Sequence, residues 1–154
     1  MDQTMRVIRA EDGVEISYVV MDGGEPATVI LHGLAGSGQE FLPTARALPG
    51  RKVVLVDQRG HGMSTRLPDD LSRQAFVNDV VSVIEGEASQ PVHLVGHSMG
   101  AHTAMLAAAA RPDLVRTLVL LECAEGSGSE QEHAALGEYF RSWPVPFPPL
   151  ERPH

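Results

Sequence analysis

Three times in succession a short apolar run leads into a glycine-bearing loop and then into a stretch whose apolar residues fall at helical spacing. Residues 28–31 are followed by Gly33-Leu34-Ala35-Gly36-Ser37-Gly38 and by residues 39–48, where Phe41, Leu42, Ala45 and Leu48 share one face. Residues 52–56 lead into a glycine-rich loop over 57–68. Beyond it residues 72–85 align Phe76, Val77, Val80, Val81 and Ile84 as a stripe that Gly86 closes. Residues 92–95 pass through Gly96-His97-Ser98-Met99-Gly100 into the alanine-rich stretch 99–110, which Arg111-Pro112 ends. Parallel strands need crossovers, so this alternation dictates an α/β fold: a mostly parallel sheet with flanking helices on both faces. A hairpin of residues 5–8 and 15–20 precedes the repeats and residues 115–121 follow them, which gives about six strands.

Past Leu121 the pattern changes. Residues 124–129 are a small-residue loop, 129–143 an amphipathic helix, and 144–154 a proline-rich tail whose Pro146-Phe147-Pro148-Pro149 reads as a polyproline segment or an interrupted piece of lid. No seventh strand is legible. The chain therefore divides into a core over 1–122 and a different segment over 123–154. At 154 residues it is long enough to bury about 70% of its unfolded surface.

Bulk properties exclude several functions. A formal charge of -8 with scattered arginines opposes binding to a phosphate backbone, and no apolar run approaches the ~20 residues of a membrane span. Cys123 is the only cysteine, so neither an internal disulfide nor a cysteine-pair metal site is available. The first residues carry no apolar signal core, and the expected location is cytoplasmic. The loop 33–40 has the glycine spacing of a phosphate loop, yet Gln39 and Glu40 stand where lysine and a hydroxyl residue are needed, which excludes nucleotide binding. His93, His97 and His102 fall on a strand, a turn and a helix that aim them apart, so no metal is expected.

Gly96–Gly100 fits G-x-S-x-G, with a strand before it and a helix after it. In such a turn the serine is forced into strained backbone geometry, and glycines let strand and helix approach closely. Ser98 would then stand at a helix N-terminus where negative charge is favoured. The plainer reading is a glycine-rich turn with Ser98 as an N-cap.

Three motifs in order, Leu31-His32-Gly33-Leu34, Asp57-Gln58-Arg59-Gly60-His61-Gly62-Met63-Ser64 and Gly96–Gly100, make the chain resemble the α/β-hydrolase superfamily from its hairpin to its sixth strand. The resemblance implies a serine hydrolase that cleaves ester, amide or related acyl bonds of a small molecule through an acyl-enzyme, with no cofactor. Ser98 would be the nucleophile, and the backbone N–H groups of Leu34 and Met99 the oxyanion hole. The loop 57–64 would pack beneath the site, His32 would shape the oxyanion loop, and 123–154 would begin a cap. In the family the acid usually follows a seventh strand and the histidine an eighth, beyond residue 154, so this chain is expected to be weak or inactive. Glu122 matches a position where some members keep the acid. His102, His133 and His154 are the histidines downstream of the elbow, and none is well placed as base. The alternative is a remnant or binding module that keeps the fold without turnover. The resemblance also leaves the sixth strand as an apolar edge, which predicts self-association.

Overall fold

The computed structural model describes residues 3–123 and 128–146. The chain falls into two compact units, Met1–Cys123 and Ala124–His154. In the first, β1 (Gln3–Arg9) and β2 (Glu15–Met21) form the hairpin. They are followed by β3 (Gly24–Leu31), a 3-10 turn (Gly38–Phe41), α1 (Leu42–Arg46), β4 (Arg51–Val56), α2 (Arg73–Glu87), β5 (Val92–His97), α3 (Met99–Ala110), a second 3-10 turn (Pro112–Leu114) and β6 (Val115–Leu121). The six strands form one sheet in the order β1-β2-β4-β3-β5-β6. β1 pairs with β2 and β2 with β4 antiparallel, while β3–β4, β3–β5 and β5–β6 are parallel.

Alternation along the central strands explains the layers. Val29 and Leu31 of β3 and Val54 and Val56 of β4 join Val77, Val80, Val83 and Ile84 of α2 and Ala104 and Ala107 of α3 in one core. Ile30, Val53 and Leu55, one residue out of phase, face the other way onto Ala45, Phe41, Leu42 and Leu48. A period-2 strand apolar on both sides is covered on both sides.

Local differences from the sequence reading have physical causes. The helix expected over 39–48 breaks into a 3-10 turn and a short α1 because Pro43 lacks an N–H and starts a new helix at its own first turn. Gly86 does not close α2, which continues to Glu87. There the Glu87 carboxylate accepts from Arg6 Nη1 at 2.8 Å and Tyr18 Oη at 2.9 Å, tying the helix end to the hairpin. Burial and the Glu87 carboxylate push the Tyr18 phenol up to about 12.

β6 is the sheet edge: Leu118, Val119, Leu120 and Leu121 are all exposed. In the second unit α4 (Glu130–Arg141) begins with a capping box, Ser129 Oγ accepting from Glu132 N and the Glu132 carboxylate from Ser129 N. Residues 124–127 and 147–154, including Phe147-Pro148-Pro149 and His154, lie outside the described residues. Among the described residues no helix is long and apolar enough to cross a membrane.

Candidate active site

β5 and α3 meet at Ser98, whose φ of 51° and ψ of −115° place a non-glycine residue where L side chains are disfavoured. Such a conformation costs about 1–3 kcal/mol and persists only where its surroundings hold it. Here Ser98 N donates to Leu121 O at 2.9 Å, while Ser98 O accepts from Ala101 N and His102 N at 2.9 and 3.2 Å. The glycines on either side have a steric reason. A Cβ on Gly96 would lie 2.6 Å from Ala101 Cα, and one on Gly100 would lie 2.5 Å from His32 O. The Ser98 side chain is half-buried and does not cap α3, and its Oγ has no hydrogen-bond partner among the described residues.

Strain marks the same place independently. Among the described residues the non-glycine positions with positive φ are Ala35 at 60°, Ser98 at 51° and Glu122 at 53°. They follow β3, β5 and β6, three adjacent parallel strands, at their C-terminal ends, the edge of such a sheet where ligands bind.

The loop after β3 lies against the elbow. A Cβ on Gly33 would come within 3.0 Å of His97 Nδ1 and 3.4 Å of Ser98 Cβ, so only glycine fits there without displacement. The N–H groups of Leu34 and of Met99, the first residue of α3, have no acceptor among the described residues. His32 holds this loop from beneath. Its Nε2 accepts from Gln58 N at 3.0 Å, so Nδ1 carries the proton and donates to Gly33 O at 2.7 Å. Gln58 Nε2 adds a bond to His32 O at 2.7 Å. The ring is fully buried, and burial pushes its pKa down, which keeps the neutral tautomer that these bonds require.

Residues 57–64 form the next layer. Asp57 accepts from Gly38 N at 2.7 Å and Met63 N at 2.9 Å, and Ser64 Oγ joins Ser17 N to Asp57 O. Arg59, 1% exposed, makes two bonds to Asp79 at 2.7 and 2.8 Å and reaches Asp12 Oδ2 and Asp70 O. Its pKa is raised, first by the hydrogen bonds to Asp79. Asp57 and Arg59 thus spend their polar atoms on the scaffold. The His61 ring lies tilted against His32 with centroids 5.0 Å apart, and its Nδ1 bonds Arg59 O. A groove of about 530 Å³ opens beside the loop after β3, lined by Ala35, Gly36, Ser37, Glu40, Gly60, Gly62 and Arg66.

Of the other marked residues His97 and Glu122 meet, and His93, His102 and His133 lie apart. His97 Nε2 bonds Glu122 Oε2 at 2.9 Å, a contact sequence reading missed, although the pairing of His97 with Leu121 places Glu122 one residue further along. His93 bonds Thr117 Oγ1 at 2.6 Å, His102 lies half-buried along α3, and His133 is on α4 in the second unit. No histidine bonds Ser98 Oγ, and no three His, Cys, Asp or Glu side chains could together hold a metal, among the described residues.

A strained serine between strand and helix at the C-terminal edge of a doubly covered parallel sheet defines the α/β-hydrolase class of fold. The chain belongs to the alpha/beta hydrolase fold family, whose model matches residues 26–143. It is 44% identical over 112 residues to mouse sn-1-specific diacylglycerol lipase ABHD11, covering 70% of this chain and 36% of that protein. It is 36% identical over 118 residues to mouse serine hydrolase BPHL, covering 72% and 40%. A hydrolase from Pseudomonas aeruginosa PA01 superposes with a TM-score of 0.79 at 20% identity over 90% of this chain and 53% of that one. The chain thus spans less than half the length of these curated relatives.

Proposed function

We propose that this chain carries the nucleophile and oxyanion hole of a serine hydrolase acting on ester, amide or related acyl bonds of a small molecule. The observation that carries the reading is the strained Ser98, its Oγ free among the described residues, beside the unpaired N–H groups of Leu34 and Met99. Relatives named as a lipase and a serine hydrolase support it.

In the proposed reaction Ser98 Oγ attacks the acyl carbon, its proton passes to a general base, and the carbonyl oxygen becomes an oxyanion. Leu34 and Met99 N–H donate to that oxygen. Donors fixed in advance are worth about 3 kcal/mol of barrier each in comparable sites. Collapse expels the alcohol or amine, leaving an ester on Ser98 that water hydrolyses. Residues 123–154 are taken as the start of a cap. A cytoplasmic setting, in keeping with the single cysteine, belongs to the same reading.

A second reading, a fold kept for binding without turnover, is favoured by the lack of an imidazole on Ser98 Oγ among the described residues. One experiment separates the two: a fluorophosphonate probe with nitrophenyl acetate hydrolysis, and Ser98→Ala as control. Labelling with turnover supports the hydrolase, labelling alone supports the binding reading, and folded protein that gives neither refutes the nucleophile assignment.

A further inference from the structure

We propose that Glu122 is a positioning residue that acts through His97 to hold the oxyanion loop against Ser98. The inference rests on the hydrolase reading above. Leu121, the last residue of β6, accepts from Ser98 N through its O at 2.9 Å, and Glu122, the next residue, accepts from His97 Nε2 through its Oε2 at 2.9 Å, so the end of β6 and the residue after it both hold the elbow. The His97–Leu121 pairing in the parallel ladder sets this geometry, and the left-handed backbone of Glu122, φ 53°, accompanies it.

The hydrogen bond from Nε2 fixes the rotation of the His97 ring. With Nε2 toward Glu122, Nδ1 lies where a Gly33 Cβ would be 3.0 Å away, and the ring stands edge-on to Phe41 at 6.4 Å between centroids. The His97 ring therefore lies between Glu122, the backbone at Gly33 and Phe41 of the 3-10 turn. The ring occupies the space a side chain at position 33 would need, so turning it changes what packs beside the Gly33 backbone, and with it the setting of the Leu34 N–H. Because the hole works by donors held in place before reaction, such a shift lowers the rate more than the binding.

Two observations separate this role from that of a triad acid. A triad acid is buried and orients the imidazole that takes the serine proton. The Glu122 side chain is 81% exposed, and its partner His97 makes no hydrogen bond to Ser98 Oγ.

The test is saturation kinetics of fluorophosphonate inactivation of the 154-residue chain, resolving kinact from KI, alongside ¹⁵N amide shifts of Gly33 and Leu34. Glu122→Ala and His97→Leu should lower kinact about tenfold with KI unchanged, a fraction of the ~10²–10³ expected for loss of a whole donor. Glu122→Gln, which keeps an acceptor, and His97→Gln, which keeps an N–H near Nε2, should recover most of the rate. Both disruptive variants should shift the Gly33 and Leu34 amides. Loss in Glu122→Ala as deep as in Ser98→Ala would overturn the proposal in favour of a triad acid. Unchanged kinact, or a change confined to KI, would also overturn it. The amide shifts decide independently of labelling: if the wild-type chain is not labelled, the hydrolase reading fails, and unmoved Gly33 and Leu34 amides in folded Glu122→Ala refute the coupling itself.

Discussion

Adding one methyl group at two helical glycines should change stability in opposite directions. Gly86 lies within α2, exposed, and a Cβ there meets nothing within 4 Å. Replacing it with alanine removes backbone freedom from the unfolded chain and should stabilise by about 0.5–1 kcal/mol. Gly100 lies in the first turn of α3, where a Cβ would come 2.5 Å from His32 O and 2.7 Å from Leu31 C. Those are backbone atoms of β3 and of the loop that follows it, so α3 must move away. Overpacking of this kind costs about 1–3 kcal/mol, and the rigid neighbours put Gly100→Ala near the upper end. At roughly 2–4 °C per kcal/mol for a chain of this size, Tm should rise by about 1–4 °C in Gly86→Ala and fall by about 6–12 °C in Gly100→Ala. Urea unfolding followed by circular dichroism reads both, and Ser98 labelling should slow in Gly100→Ala alone. Wild-type stability in Gly100→Ala, or destabilisation by Gly86→Ala, would refute the close approach of α3 to β3 and the continuation of α2 through Gly86.

Asp79→Asn should cost about 1.5–3 kcal/mol in urea unfolding, because it removes the doubly bonded carboxylate of the buried Arg59 guanidinium while Asp12 still pairs with it; a loss below about 1 kcal/mol would contradict that pairing. His32 has its folded pKa depressed by burial, so the unfolded chain takes up a proton that the folded chain refuses. Its contribution is complete above about pH 6.5 and is lost as pH falls, with a slope of at most about 1.4 kcal/mol per pH unit; urea midpoints across pH 5–7 should show a slope that shrinks in His32→Gln. Self-association of this chain through the β6 edge is expected at micromolar concentration by light scattering, reduced by Val119→Lys; a monomeric wild type would contradict it.

Where local chemistry decides, the sequence was readable. α3 and β6 begin and end as expected because Arg111-Pro112 can only stop a helix and the alternative pairings of Val115–Leu121 are few. The elbow was legible for the same reason, since its glycines answer steric demands within a few residues. Gly86 misled because the fate of a helix end was decided 81 residues away in sequence, by the Arg6–Glu87 pair. Arg59, a loop arginine with no local partner, became the most buried charge of the scaffold only through Asp79 on α2. His97 and Glu122 are each legible alone. Their contact depends on strand register, which two apolar runs constrain only when laid side by side.

The most direct test of the central claim is mass spectrometry of the fluorophosphonate-treated chain, with peptide mapping. One adduct is expected, on the peptide containing Ser98, abolished by Ser98→Ala and reduced by Gly100→Ala. A folded chain that takes up no probe, or takes it up elsewhere and equally in Ser98→Ala, would contradict it.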